Sequence, residues 1–367
     1  MEKHSFGLEP ITCHAWNKNR TQVAVSANSQ EVDIYEKKGT SWNKKYTLGE
    51  HTQRVTSIDW AANSNRIVTC GSDRNAYVWS LNGNDEWKPS LVILRINRAA
   101  TCVRWSPKEN KFAVGSGARL VSICYFEDDN DWWVSKHIKK PIRSTVTTLD
   151  WHPNNMLLAC GSTDFKVRVF SAYVKDIETK PSSNTWGTKM PFGVCLKEFG
   201  GGGGWVHSVS FDKIGDRLAW CGHDSTLTVV NGASDFALGH CVMKTLPCLT
   251  LQWMGPSTII AAGHDCELMR FRVDDKTKIT FEGKVSVAQK KSAGTVSAMA
   301  MFKNLDKRAT ADDDSKKASV HQNSINQLFI HTGEKEAIAK LSSVGMDGQM
   351  VIWNQSSLEA SLGNMKI

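Results

Sequence analysis

HTQRVTSIDWAANSNRIVTCGSDRNAYVWS, residues 51–80, contains three short apolar runs separated by two turn signals. VTSIDW is a short strand-length segment ending in an aromatic, with Val55, Ser57 and Asp59 on one side of a period-2 strand and Thr56, Ile58 and Trp60 on the other. RIVTCG and NAYVWS follow, with Gly71, Ser72 and Asp73 at the turn between them. Aspartate beside glycine suits such a turn, because it tolerates left-handed backbone and bonds its own main chain. The stretch therefore predicts three antiparallel strands in succession.

The same unit recurs. ITCHAW (11–16), VTSIDW (55–60), ATCVRW (100–105), VTTLDW (146–151), VHSVSF (206–211) and CLTLQW (248–253) are copies of the first strand. The residue closing the third strand falls at Tyr35, Trp79, Tyr125, Phe170, Val230, Phe271 and Trp353, in steps of 44, 46, 45, 60, 41 and 82. Six residues earlier stands an aspartate in five units: Asp73, Asp164, Asp224, Asp265 and Asp347, with Ser29 and Arg119 in the other two. A strand-only period near 44 residues predicts an all-β chain, a seven-bladed β-propeller whose single ring takes in residues 1–367. A ring must also pair its last edge, since an open strand edge invites aggregation. His4, Phe6 and Leu8 alternate just ahead of the first unit, so the N-terminus is expected to supply the outer strand of blade 7, whose inner strands lie within 321–354.

These features resemble the WD-repeat family, marked by a GH pair, a WD-like dipeptide and an Asp in the intervening turn. Its members bury a hydrogen-bond network of His, Asp, Trp and a strand hydroxyl, and the resemblance assigns that role to His51, Asp73 and Trp79. Only His51 and His321 occupy the histidine slot, four residues before Val55 and Ile325. The other five units lack it, so their networks are expected to be absent or built differently.

The period breaks twice. The 60-residue step places extra sequence at 175–204, including PSSNTWGTKMPFG and Gly200–Gly204, and is read as a flexible surface linker. The glycine run lacks the Lys and Ser/Thr of a phosphate loop. The 82-residue step places an insertion at 289–320, between the last two blades. There Ala298, Met301, Phe302 and Leu305 fall at i, i+3, i+4 and i+7, the stripe of an amphipathic helix, followed by a polar tail, DDDSKK. The stripe either folds back on the propeller's flank or serves as a ligand for a groove on another protein.

Composition narrows the function. Hydrophobic residues make up 41%, and no apolar run reaches the length a membrane helix needs. MEKHSFGLEP has no secretory signal, so the chain is expected inside the cell, with its ten cysteines reduced. Cys70, Cys160 and Cys221 each precede a glycine at one repeat position and read as small core residues. His223 and His264 recur in GHD and read as structural. No HExxH, GxSxG, GxxxxGK[ST] or paired-carboxylate arrangement stands out, so neither enzyme chemistry nor a cofactor or metal is expected. The net charge of +8 favours acidic partners. Lys139, Lys140 and Arg143, in KHIKKPIRS with Lys136, form a candidate patch for an acidic peptide; without interleaved aromatics it is a poor nucleic-acid site.

Beyond the repeat, HSFGLEPITCHAWNKNRTQ, LVILRINRAATCVRWSPKENKFAVGSGARLVSICYFEDDNDWW, HIKKPIRSTV, AAGHDC, FKNLDK and GMDGQMVIWN are similar to the family of WD-repeat subunits of the actin-related protein 2/3 complex. The resemblance implies a non-catalytic scaffold that supports nucleation of branched actin filaments. Its implied partners are the other subunits, including an actin-related protein, and the acidic tails of nucleation-promoting factors. The insertion stripe Ala298, Met301, Phe302 and Leu305 would meet the mother actin filament. The implied location is the cytoplasm, actin cytoskeleton and cell projections, with the nucleus as a further site. The alternative is a WD-repeat adaptor of another assembly, a ubiquitin-ligase receptor or a histone-tail reader.

Overall fold

The computed structural model describes residues 1–7, 9–200, 202–285, 319–335 and 337–359. Seven four-stranded antiparallel sheets form a ring, each blade running outward from an inner strand that begins at Cys13, Val55, Ala100, Val146, Val206, Cys248 or Ile325. Blade 2 consists of Val55–Trp60, Arg66–Gly71, Ala76–Leu81 and Trp87–Val92. Blade 7 combines Ile325–Glu334, Ala337–Gly345 and Gln349–Asn354 with Glu2–Ser5, which pairs antiparallel with the third strand, Glu2 opposite Ile352. Phe6 packs beside this edge, its ring 4.4 Å from that of Tyr35, while Leu8 lies outside the described residues.

Each blade is covered by neighbours on both faces, so second strands are largely buried, and Lys111–Ser116 and Leu157–Ser162 are buried along their whole length. Small residues there let blades approach. A Cβ on Gly115 would sit 2.7 Å from Val146 of the next blade, and one on Gly161 would sit 2.6 Å from Val206. Cys70, Cys160 and Cys221 are free thiols with no exposed surface, consistent with core packing.

The inner-strand text, V-T-x-x-D-W in blades 2 and 4 and A-T-x-x-R-W in blade 3, also joins the blades. A register shift after the first residue of the inner strand turns Thr56 and Thr101 aside. Their hydroxyls then donate to the Ala100 and Val146 carbonyls of the following blades at 2.9 and 2.6 Å. At the other end of the strand, Asp59 accepts from the Trp105 backbone N–H and Asp150 from that of Phe211, both at 2.7 Å. The blade 7 to blade 1 seam uses other residues: His14 meets Gln327 at 2.8 Å and Ser342 at 2.7 Å, and Asn326 donates to the Ile11 carbonyl at 2.8 Å. The first two strands of blade 7 are longer than those elsewhere. From their turn, Lys335 reaches across the ring to Asp150 at 2.8 Å and to the Phe211 carbonyl at 2.7 Å.

The 175–204 segment is not the flexible linker its composition suggests. Trp186 is buried among Leu157, Phe199 and Phe211 and donates to the Gly215 carbonyl at 2.7 Å. Glu178 pairs with the buried Lys111, and Gly200 ends the outer strand of blade 4. One large aromatic and one buried ion pair outweigh the surrounding Ser, Gly and Pro, because each removes a group from water that the loop then has to follow. Of the insertion expected at 289–320, residues 289–318, with Ala298, Met301, Phe302 and Leu305, lie outside the described residues.

Candidate binding surface

One face of the ring carries the segments leading into the inner strands together with the turns between second and third strands. The turn aspartates face those segments. Asp73, Asp164, Asp224, Asp265 and Asp347 each accept a backbone N–H from the incoming segment: Thr52, Arg143, Gly203, Leu246 and Gln322, at 2.8–3.3 Å. This bond is common to all five blades, whether or not a histidine is present.

In blade 2, His51 Nδ1 meets Asp73 at 2.8 Å and His51 Nε2 meets Thr69 Oγ1 at 2.9 Å, while Trp79 Nε1 donates to the same hydroxyl at 3.0 Å. Burial lowers the His51 pKa, outweighing the opposing pull of Asp73. Blade 7 repeats the arrangement with His321, Asp347, Ser343 and Trp353. Blade 4 has no histidine in the slot ahead of its inner strand, and Arg168, only 2% exposed, bonds both Asp164 at 3.0 Å and Glu198 at 2.8 Å. These side chains are occupied with one another and lock the rim of the face.

Over blade 3 the turn aspartate is replaced by Arg119, and the result is a cleft of about 580 Å³. Arg95, Arg119, Lys139 and Lys140 line it over a floor of Ile96, Leu120 and Ile142. The three contributing segments are fixed to the blade and to one another. Gly117 N–H donates to the Ala99 carbonyl at 2.9 Å, Ile142 N–H to the Lys139 carbonyl at 3.0 Å, and the Arg95 guanidinium to the Ser135 carbonyl. No carboxylate lines the cleft, and among the described residues none pairs with these four cations. Arg143 is exposed nearby but does not line the cleft, because its backbone is drawn toward Asp164. Sequence reasoning missed Arg95 and Arg119; the signal for Arg119 was its occupation of the aspartate slot.

Elsewhere on this face, His207 Nε2 lies 2.9 Å from His223 Nδ1, beside Trp205, which is 51% exposed. Burial, with His223 and His264 nearby, lowers the His207 pKa to about 4. His223 is exposed, and His264 bonds Ser324 of the next blade at 3.0 Å. Among the described residues no group of three or more His, Cys, Asp or Glu is arranged to hold a metal ion. No described helix is long and apolar enough to cross a membrane.

Seven four-stranded blades, two of them carrying the His–Asp–hydroxyl–Trp network, define a WD-repeat propeller, and the WD domain, G-beta repeat family matches residues 42–80 and 133–171. The chain is 55% identical, over the full length of both, to "Actin-related protein 2/3 complex subunit 1A-A" of Xenopus laevis. It is 42% identical to "Actin-related protein 2/3 complex subunit 1" of Schizosaccharomyces pombe over 94% of this chain and 97% of the relative. It is 40% identical to "Actin-related protein 2/3 complex subunit 1B" of Arabidopsis thaliana over 99% of each. The chain belongs to the actin-related protein 2/3 complex subunit 1 family.

Proposed function

We propose that the protein is a non-catalytic scaffold subunit of an actin-related protein 2/3 complex, working in the cytoplasmic actin cytoskeleton to support branched filament nucleation. The observation that carries this reading is the match along the whole chain to subunit 1 proteins of an animal, a yeast and a plant. Function then resides in surfaces. The cleft with Lys139 and Lys140, with Arg143 at its margin, receives acidic tails of nucleation-promoting factors. Exposed cations raise the encounter rate with such tails, and their field is screened within about 8 Å at physiological salt. In the insertion, the stripe of Ala298, Met301, Phe302 and Leu305 docks on the mother filament.

Purifying the tagged protein from cytosol tests the scaffold reading. Stoichiometric recovery of an actin-related protein and the other subunits is the expected result. Recovery instead of a ubiquitin ligase or histones would replace it with the adaptor reading. For the insertion, an assembled complex carrying Phe302→Asp and Leu305→Asp is expected to lose at least about tenfold in filament-side binding, since burying each apolar side chain is worth about 1.5–3 kcal/mol. Wild-type branching from that complex would refute the docking role.

A further inference from the structure

The blade 3 cleft differs from a generally basic surface in its shape. Arg95, Arg119 and the Lys139–Lys140 pair come from three separate segments and converge on one pocket, which Asn97 also lines. Its volume, about 580 Å³, falls within the range of about 300–1,000 Å³ typical of small-ligand sites. Gly117 contributes to the convergence: a Cβ there would come within 3.3 Å of Arg98, so the turn can lie close against the incoming segment.

An extended acidic peptide advances about 3.3 Å per residue and turns alternate side chains away, so it presents only one or two carboxylates to a single pocket. A compact anion with several phosphates presents all its charge at once. Guanidinium groups fit phosphate oxygens in a bidentate fork, and lysine ammonium groups add point charge. We infer that the cleft is a binding site for a compact, multiply phosphorylated anion of the inositol-polyphosphate class, either free or as the headgroup of a phosphoinositide lipid. Two guanidinium and two ammonium groups without carboxylate partners supply the charge, and Ile96, Leu120 and Ile142 offer an apolar floor to the face of a carbon ring. Because the acidic tails of the proposed function would use the same cations, occupancy by the anion would exclude them; only this competition rests on that reading.

The test uses inositol hexakisphosphate titrated calorimetrically into the assembled complex and into the full-length chain at physiological salt. Saturable one-site binding is expected, weakened at least about tenfold by Arg119→Gln with Lys139→Gln. These residues are exposed and unpaired, so an unchanged melting temperature should show that the variant is folded. Lys44→Gln, on a distant blade, serves as control. No binding, or equal weakening by the control, overturns the inference. Cosedimentation with phosphatidylcholine vesicles containing phosphatidylinositol 4,5-bisphosphate identifies the source. Capture by these vesicles, but not by phosphatidylserine vesicles of matched charge, assigns the lipid headgroup; binding of the soluble anion alone assigns the free form. A labelled acidic peptide is titrated separately. If it fails to bind while the phosphate binds, the acidic-tail reading falls and this one stands.

Discussion

In blade 2 the four strands between Val55 and Val92 follow one another along the chain, whereas in blade 7 the outer strand comes from the other end of the protein. Both blades carry the same network, His51–Asp73–Thr69–Trp79 in one and His321–Asp347–Ser343–Trp353 in the other. The network therefore fixes the turn and incoming segment of a blade wherever it occurs, but it does not close the ring. Closure depends on the Glu2–Ser5 pairing and on the His14 seam, both of which join residues more than 300 positions apart. Blade 2 gains its contacts locally; blade 7 gains them only once the chain ends have met.

Removing residues 1–6 breaks this comparison most severely. It deletes the strand opposite Gln349–Ile352 and the Phe6 packing against Tyr35, leaving an unpaired edge. The expected loss is roughly 3 to 5 kcal/mol, read as a lower midpoint in chemical denaturation, with increased aggregation. An unchanged midpoint would mean that the third strand suffices as the outer edge of blade 7.

Acid acts on the same seam. His14 is fully buried, and burial, with Arg104, His331 and Arg20 nearby, lowers its pKa to about 3 against the opposing bond from Gln327. The unfolded chain takes up that proton near pH 6.5, well before the folded protein does. Stability from this group is complete above about pH 6.5 and falls by about 1.4 kcal/mol per unit of pH below it, or about 2 kcal/mol by pH 5. His51, His207 and His331 shift in the same direction. Melting temperatures between pH 7 and pH 5 should show the decline, and His14→Gln should flatten it by about one proton. A slope unchanged by that substitution would place the sensitivity elsewhere.

Single substitutions in the two networks sharpen the comparison. His51→Ala and His321→Ala each leave a buried carboxylate and hydroxyl short of a partner, at about 1–3 kcal/mol. Combined with the deletion of residues 1–6, His51→Ala should be additive, being remote from blade 7. His321→Ala should not be, because it shares a sheet with the missing strand. Denaturation of the two combined variants checks this, and identical coupling energies would remove the distinction between the blades.

What could be read in the sequence follows the same division. Alternation and turn chemistry are local, so VTSIDW, the GSD turn and their copies disclosed the strands, the blade count and the closure. His51 and His321 were visible because their slot lies at a fixed distance ahead of Val55 and Ile325. The cleft was only half visible: Lys139 and Lys140 stand together in the chain, but Arg95 and Arg119 join them only through the packing of three segments over blade 3. Arg168 was hidden for a different reason, since a mid-strand arginine gives no sign that it will turn back to Asp164 in place of a histidine. Trp186 showed that a single buried aromatic can override the loop-like composition around it.

The smallest expected effect on stability comes from Lys139→Glu with Lys140→Glu. Both side chains are exposed and neither pairs with a carboxylate, so the fold should change by less than about 0.5 kcal/mol. That near-silence separates the cleft from the networks of blades 2 and 7, where the histidine, aspartate, hydroxyl and indole N–H are engaged with one another inside the blade. The effect should appear instead in association. If the cleft receives an acidic tail as proposed, reversing two of the four cations lining it should lower the attraction, and the wild-type affinity should decline steeply as salt is raised. Stopped-flow binding of a labelled acidic peptide to the assembled complex, across a salt series, should show most of the loss in the association rate at low salt. The two proteins should then converge at high salt, where screening removes the advantage of the wild type. A loss confined to the dissociation rate and independent of salt would mean that the lysines hold the peptide by direct desolvated contacts, and the cleft would have to be regarded as a specific pocket for the tail.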